Sequence, residues 1–98
     1  MNLNWDPGKD SENQQKHGLS FAEAAKLFEL PAHLVLTMYD VLHSEFKERS
    51  LAIGAIARGV IVVVYCERDG DVIRIISART ATPPERRHYA DYLAGDPS

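Results

Sequence analysis

The fold of this 98-residue chain is decided by residues 49–79, which read RSLAIGAIARGVIVVVYCERDGDVIRIISAR. The aliphatic and β-branched residues of this stretch favour three strands. The predicted strands are residues 49–57, 60–67 and 72–79. Arg58-Gly59 predicts a tight turn after the first strand, and Asp69-Gly70 predicts a two-residue hairpin turn after the second. The stretch is therefore expected to form consecutive antiparallel strands.

Two-residue loops at both turns would place Tyr65 opposite Arg74 and Ala52 opposite Tyr65. The face that contains Tyr65, called here the Tyr65 face, would carry Ser50, Ala52, Gly54, Tyr65, Glu67, Arg74 and Ala78. The opposite face, called the Val62 face, would carry Leu51, Ile53, Val60, Val62, Val64, Ile73 and Ile75. The Val62 face is more apolar and is expected to hold the helices, which would leave a shallow groove on the Tyr65 face. Arg79 alternates to the face opposite Arg74 unless a bulge intervenes.

Helix signals precede and follow these strands. Asp6-Pro7 predicts a helix start and Gly18 its end, and the helix between them has no large apolar residue. It is therefore expected on the surface or against a polar partner. A second helix is predicted from the capping box at residues 20–23 to Pro31, and a third from the capping box at residues 82–85 to about Leu93.

Residues 34–42 predict a further strand, followed by a polar loop over residues 43–48. The fold class is therefore α+β, with two N-terminal helices, a four-stranded antiparallel meander sheet and a C-terminal helix. The length fits a single domain over residues 1–98.

The composition narrows the function classes. The chain has one cysteine, Cys66, so an internal disulfide is excluded and a cysteine zinc site is not expected. No apolar run is long enough to cross a bilayer, and the N-terminus lacks the features of a signal peptide. We therefore expect a cytoplasmic protein without a membrane partner, a bound metal or a cofactor.

Positive charge is concentrated near the C-terminus, although the formal net charge of the chain is −3. Residues 1–57 hold 5 basic and 8 acidic side chains, a net charge of −3, whereas residues 72–88 hold 4 arginines and 1 glutamate, a net charge of +3. Guanidinium groups beside an exposed helix N-terminus suit phosphate, which favours a polyanion such as RNA as a ligand. The alternative is that these are ordinary surface arginines paired with Glu85 and nearby aspartates.

Lys16-His17-Gly18 closes the first predicted helix, and helical spacing places Lys9 and Asn13 on the same side. Cations near a helix C-terminus are favoured by the macrodipole, which explains Lys16 and His17 without a function. The functional interpretation is a phosphate or base contact, with His17 as a candidate for proton transfer.

These motifs together resemble the BrnT family, toxins of bacterial type II toxin–antitoxin pairs. The N-terminal matches are Asn4-Trp5-Asp6, Asn13, Lys16-His17-Gly18, Ser20-Phe21, Glu23-Ala24-Ala25 and Phe28. The later matches are Glu48-Arg49, Ile53-Gly54, residues 74–79, Glu85-Arg86-Arg87 and Tyr89. The chain departs from the family pattern at Leu30-Pro31, where an Asp-Pro pair is usual, and at Leu42, where an acidic residue often precedes the His-Ser pair.

The resemblance implies a RelE-like fold, metal-independent cleavage of RNA and a BrnA-like antitoxin that neutralises the toxin. It also implies that the complex contacts its operator DNA mainly through the antitoxin. RNA can be cleaved by attack of its own 2′-hydroxyl, so the protein must orient the strand, stabilise charge on the phosphorane and move protons. The chain is on this basis expected to be an endoribonuclease.

Eight side chains are candidates for the RNA site. Arg74 and Arg79 suit the charge on the phosphorane, His17 or Glu67 is the candidate base, and Tyr65 is a candidate proton donor or stacking group. The expected RNA contacts are Lys16, Arg49 and Arg86.

Two other functions stay open at this stage. The chain could be a noncatalytic module that acts in an antitoxin–DNA complex, which its acidic net charge favours. It could also be a housekeeping nucleic-acid-binding fragment.

Overall fold

The computed structural model describes residues 2–39, 49–68 and 70–95. Within them the α-helices and strands are, in chain order, β1 (Asn2–Asn4), α1 (Pro7–His17), α2 (Phe21–Ala24), β2 (Leu36–Tyr39), β3 (Ser50–Ile56), β4 (Gly59–Arg68), β5 (Val72–Thr80) and α3 (Pro83–Leu93). Two short 3₁₀ segments, Ala25–Glu29 and Ala32–Leu34, connect α2 to β2. The described strands form one sheet in the order β1-β5-β4-β3-β2. The α+β class is confirmed, and the prediction of four strands is corrected to five.

The helix ends follow the predicted caps. The Asp6 carboxylate accepts a hydrogen bond from the Gly8 amide at the start of α1, and Gly18 ends it with a φ of 66°. Thr82 and Glu85 form the reciprocal capping box that begins α3. The second predicted helix is only partly confirmed, because the chain tightens into the 3₁₀ segment after Ala24.

Two strands differ from the prediction. β1 was not predicted, because three residues are too short to show a period, and it pairs in parallel with the start of β5. The strand predicted over residues 34–42 is β2, which covers Leu36–Tyr39 after a 3₁₀ turn. The predicted loop over residues 43–48 and the end of the predicted strand lie outside the described residues. No helix within the described ranges is long and apolar enough to span a bilayer.

The register between β4 and β5 differs from the prediction by one residue. Arg68 pairs with Val72, so three residues separate the strands instead of two. Gly70 occupies the left-handed region with a φ of 76°, as a three-residue hairpin loop commonly requires. Successive side chains of a strand point to opposite faces of the sheet. The register shift of one residue therefore moves Arg74 to the Val62 face, where it pairs with Cys66. The predicted Tyr65–Arg74 pairing is therefore wrong.

A β-bulge then changes the second half of β5. Val64 pairs with Ser77 while Tyr65 pairs with Ile75, so Ile76 is the extra residue. The bulge resets the alternation, and Ser77 and Arg79 join Arg74 on the Val62 face. The turn between β3 and β4 also differs from the prediction, because Ile56 pairs with Gly59. This register shift is two residues, so each side chain stays on its predicted face of the sheet.

Both faces of the sheet are covered, which corrects the expected arrangement of the helices. The side chains of α2 and the segment after it, with Phe21 and Leu27 fully buried, pack on the Tyr65 face. That face was predicted to be an open groove. Gly54 permits this close packing, since a Cβ there would lie 3.2 Å from the Leu27 side chain. The Val62 face holds α3, whose Tyr89 packs with Ile53 and Val62.

The helix α1 covers the edge of β5 beyond the end of β1, and it does so with a polar side chain. Asn13 is 5 % exposed and is the buried residue of α1. Its Nδ2 donates to the carbonyl oxygens of Ala78 at 2.7 Å and Leu19 at 2.8 Å, and its Oδ1 accepts from the Ala78 amide at 3.1 Å. The amide thus bonds to both backbone groups of Ala78, as a neighbouring strand would. The expectation of a polar partner for α1 is confirmed.

Replacing Asn13 with alanine should leave these buried backbone groups without partners. We expect Asn13→Ala to lower the free energy of unfolding by roughly 3 kcal/mol, the upper part of the range for an unsatisfied buried group. Gln15→Ala, an exposed position of the same helix, should stay within about 0.5 kcal/mol of the parent. Urea denaturation followed by circular dichroism measures both, and equal stabilities for the two variants would contradict the role given to Asn13.

Candidate functional site

A row of three polar side chains lies along the outer strand β5 on the Val62 face. Arg74, Ser77 and Arg79 form this β5 row, because the bulge at Ile76 aligns them. Arg74 Nη1 donates to the Asn4 side-chain oxygen at 3.1 Å, a contact that exists because β1 pairs beside it. Because the Asn4 amide is neutral, this hydrogen bond does not neutralise the positive charge of the Arg74 guanidinium.

Arg79 is held differently, by a carboxylate at the start of α3. Its Nη1 and Nη2 donate to the two oxygens of Glu85 at 2.7 and 2.9 Å. One of these oxygens also accepts from the Thr82 amide at 2.8 Å, which fixes the carboxylate in the capping box. The hydrogen bonds to Arg79 lower the pKa of Glu85 from 4.5 to about 2, and the hydrogen bonds to Glu85 raise the pKa of Arg79. For Arg79 the alternative of a paired surface arginine is therefore correct in this structure.

Arg86 lies in the first turns of the same helix. Its Nη1 donates to the Ala81 carbonyl oxygen at 2.9 Å, so the side chain folds back over the segment between β5 and α3. Arg87, its neighbour, is exposed. The predicted RNA contact of Arg86 stays a prediction, and its position next to the Arg79–Glu85 pair is compatible with it.

A groove lies between α1 and the bulge of β5, with a volume of about 210 Å³. We call it the α1 groove, and its lining is Lys9, Glu12, Asn13, Lys16, His17, Ile76 and Ser77. Lys16 and His17, two of the predicted site residues, thus lie together. Ser77 belongs to both the α1 groove and the β5 row, so the two features adjoin.

Tyr65 and Glu67 lie on the other face of the sheet from Arg74 and Arg79. Tyr65 is 5 % exposed and meets Phe28 edge to face, with the ring centres 5.2 Å apart. Burial raises the pKa of Tyr65, as does the charge of Glu67, while a hydrogen bond with Ser50 opposes them. Glu67 is exposed near the β4–β5 hairpin. The eight predicted site residues therefore do not converge on one location.

Arg49 directly precedes β3 and is partly buried. Its neighbour Ser50 pairs with Tyr65 at the far end of the ladder between β3 and β4. The sheet thus separates Arg49 from the α1 groove by two strands. Within the part of the chain that the structure describes, no three His, Cys, Asp or Glu side chains form a group that could hold a metal ion.

Two residues of the site were not singled out from the sequence. Ser77 lies within the motif at residues 74–79, but the face to which its side chain points depends on the bulge. No glycine in this part of β5 indicates a bulge in the sequence. Asn4 belongs to the motif at residues 4–6, but its contact with Arg74 depends on the three-residue strand β1. Both assignments depend on contacts between segments that are distant in sequence. By contrast, the position of Lys16 and His17 on the same side of α1 as Lys9 and Asn13 follows from helical spacing alone.

The sheet, the β5 row and the α1 groove define a small α+β protein with a cationic site suited to a polyanion. The family model described as "Ribonuclease toxin, BrnT, of type II toxin-antitoxin system" matches residues 5–85. The chain belongs to this family, which confirms the resemblance read from its motifs. Membership implies an RNA substrate and an antitoxin partner.

A solved structure agrees with the family assignment. The crystal structure of the Brucella abortus ribonuclease toxin BrnT has 27 % sequence identity to this chain and a TM-score of 0.60. The match covers 84 % of this chain and 97 % of that one. No curated protein matches the chain.

The Arg79–Glu85 pair predicts a specific pH dependence of stability. Because folding lowers the pKa of Glu85 from 4.5 to about 2, its contribution is fully present above pH 4.5 and is lost as the pH falls towards 2. Glu85→Gln keeps a capping side chain of similar shape but removes the charge. Unfolding free energies measured between pH 7 and 3 should therefore fall less steeply in Glu85→Gln than in the parent. Parallel curves for the two proteins would contradict this assignment.

Proposed function

We propose that this chain is an endoribonuclease that cleaves RNA without a metal ion, by attack of the 2′-hydroxyl on the adjacent phosphate. The single observation that carries the proposal is that the bulge aligns Arg74, Ser77 and Arg79 on one face, while Ser77 also lines the groove that contains His17. The arrangement offers guanidinium groups for a phosphate along β5 and an imidazole for proton transfer in the adjoining groove. Family membership supports the RNA substrate and the ribonuclease class.

The chemistry requires one bond to form and one to break. The 2′-oxygen loses its proton and bonds to phosphorus, the phosphorane carries extra negative charge, and the bond to the 5′-oxygen breaks. The products are a 2′,3′-cyclic phosphate and a 5′-hydroxyl end, whose proton comes from water in the open groove. Fixed cationic donors stabilise the phosphorane more than the starting phosphate, which lowers the barrier.

Arg74 is the proposed group for the charge on the phosphorane. Its hydrogen bond to Asn4 holds one Nη group through a neutral side chain, so its remaining donors can meet phosphate oxygens. Arg79 has both Nη groups on Glu85, so its contribution is weakened by that carboxylate. Arg79 is proposed to support the site from the end of the row.

His17 is the proposed general base. It lies in the α1 groove with Lys16, next to Ser77 of the β5 row, and an imidazole can accept and release a proton near neutral pH. Glu67 and Tyr65, the other candidates, lie across the sheet from Arg74, so we assign the step to His17. Lys16 is proposed to contact the RNA backbone beside it.

A BrnA-like antitoxin is the proposed partner that neutralises the toxin. As the family resemblance implies, we propose that operator DNA is contacted mainly through the antitoxin. The toxin would act in the cytoplasm, where messenger RNA is available.

Arg74→Ala should abolish most of the cleavage while the protein stays folded. Loss of one charge-stabilising donor typically lowers the rate by about 10²- to 10³-fold. The matched control is Arg87→Ala, which removes an exposed arginine of α3 and should leave the rate within about twofold. The measurement is cleavage of a labelled RNA by the purified chain, with and without a chelator, together with analysis of the product ends.

The outcomes separate the proposal from the noncatalytic alternative. Cleavage that survives the chelator and yields cyclic phosphate ends supports the proposed mechanism. A folded protein that leaves RNA intact supports an interaction module instead. If Arg74→Ala and Arg79→Ala both remained fully toxic in cells and still cut messenger RNA, the assignment of the β5 row would be wrong.

His17→Ala should lower kcat with little change in KM, since a base acts on the proton and not on strand binding. A correctly positioned general base typically raises the rate of the chemical step by about 10²- to 10⁴-fold. The control is His33→Ala, which removes an exposed histidine of the 3₁₀ segment Ala32–Leu34. Initial rates over a range of RNA concentrations separate the two constants, and a change confined to KM would make His17 a binding residue.

A further inference from the structure

The exposed side of α1 presents a line of two lysines and a histidine. Lys9, Lys16 and His17 are all exposed and all line the α1 groove. Within the described ranges none of the three side chains takes part in a hydrogen bond or an ion pair. Glu12 supplies the only carboxylate among the described residues that line the groove. The groove is therefore locally positive in a chain of negative net charge.

Helix stability explains part of this line but not Lys9. Lys16 and His17 lie in the last turn of α1, where the macrodipole favours cations. Lys9 lies in the first turn, where the macrodipole disfavours a cation. Its ammonium group makes no ion pair with a described residue, although Glu12 lines the same groove, and the Asp10 carboxylate accepts instead from the Phe21 amide and from Gln14. Lys9 is therefore exposed and available to bind an anionic ligand at the groove.

The geometry of the groove fits an extended strand. Lys9 and Lys16 are two helical turns apart, about 10 Å along the axis, which is longer than a single phosphodiester. Ile76 and Ser77 line the β5 side of the groove, and Ser77 continues into the β5 row. A chain lying along α1 would therefore run into the proposed cleavage site.

We infer that the α1 groove binds the RNA backbone next to the phosphate that is cleaved, with Lys9 and Lys16 as successive phosphate contacts. This inference rests on the proposed function and adds Lys9 and Glu12 to it. Lys9 attracts the strand, whereas Glu12 repels it and limits the affinity. In this division of roles, Lys9 and Lys16 of α1 hold the strand, whereas His17 and the β5 row act on the phosphate that is cleaved.

An acidic protein segment, such as part of an antitoxin, is the other ligand that this charge could attract. RNA is favoured because Ser77 joins the groove to the arginines. A bound RNA strand thereby gains contacts at both features in one continuous path. Lysine ammonium groups also act as point charges that accept phosphates without a fixed orientation, which suits an RNA backbone of varied sequence.

The test uses 2′-O-methyl RNA, which retains the phosphates but cannot be cleaved by 2′-hydroxyl attack. Fluorescence anisotropy of the full chain with this RNA gives the affinity at several salt concentrations. Lys9→Ala should weaken binding and make the slope of log K against log salt shallower by about 0.7, the value for one phosphate contact on a single strand. Glu12→Gln should tighten binding and leave the slope unchanged. Lys9→Arg keeps the charge and should restore the affinity.

Matched controls come from the 3₁₀ segment Ala25–Glu29, away from the groove. Lys26→Ala and Glu29→Gln make the same changes in net charge at exposed positions and should leave affinity and slope at the parent values. Equal effects of Lys9→Ala and Lys26→Ala would overturn the inference, since binding would then follow net charge alone. So would a Lys9→Ala variant that binds RNA normally but binds its antitoxin poorly.

The failure of the inference and the failure of the proposed function can be told apart. With unmodified RNA, Lys9→Ala should raise KM and leave kcat nearly unchanged, whereas Arg74→Ala should lower kcat. A parent chain that binds 2′-O-methyl RNA with the expected Lys9 effect, but leaves unmodified RNA intact, supports the groove and overturns the proposed cleavage. A parent chain that cleaves RNA without any effect of Lys9 or Glu12 overturns the groove alone.

Discussion

One extra residue in β5 determines which side chains can act together. Ile76 is inserted opposite the Val64–Tyr65 step of β4. Arg74 and Arg79 are an odd number of positions apart, so regular alternation would send them to opposite faces of the sheet. The bulge brings them to one face and places Ser77 between them. The proposed site exists only because this irregularity is built into the strand.

The bulged strand is bound along its edge by the amide of Asn13. Two residues beyond Ile76, both backbone groups of Ala78 bond to this side chain, which closes an edge that β1 is too short to cover. The same amide fixes the distance between α1 and β5. A bulged edge strand and a polar helix therefore stabilise each other, and the α1 groove is the space between them.

Local signals in the sequence predicted the elements well, but not the pairing of the strands. The caps at Asp6, Gly18 and Thr82 set the ends of α1 and α3, because each acts within a few residues. The hairpin signal at Asp69-Gly70 predicted the right turn with a loop one residue too short. That error placed Arg74 and Ile75 on the wrong faces of the sheet. It also made the Val62 face look more apolar, so the helices were expected on that face.

The predictions for the site residues show the same contrast between local signals and strand pairing. Lys16 and His17 line one groove with Lys9 and Asn13, since helical spacing of three and four residues places them on one side of α1. Tyr65 and Glu67 were placed beside Arg74 through the predicted register, and they lie across the sheet from it. Pairing of Arg79 with Glu85 was recognised as an alternative, because the two residues are close in sequence. The bulge itself has no local signal, since Ile76 is an ordinary strand residue.

The way α1 is attached has an evolutionary consequence. Of its eleven residues, Asn13 alone is buried, so the helix contributes almost nothing to the apolar core. Its outward positions can therefore change with little effect on stability. Related toxins could acquire different RNA preferences by substitution along this helix, His17 excepted, while the sheet, the core and the β5 row stay the same. Selection for a new target would then act on a surface that is nearly independent of folding.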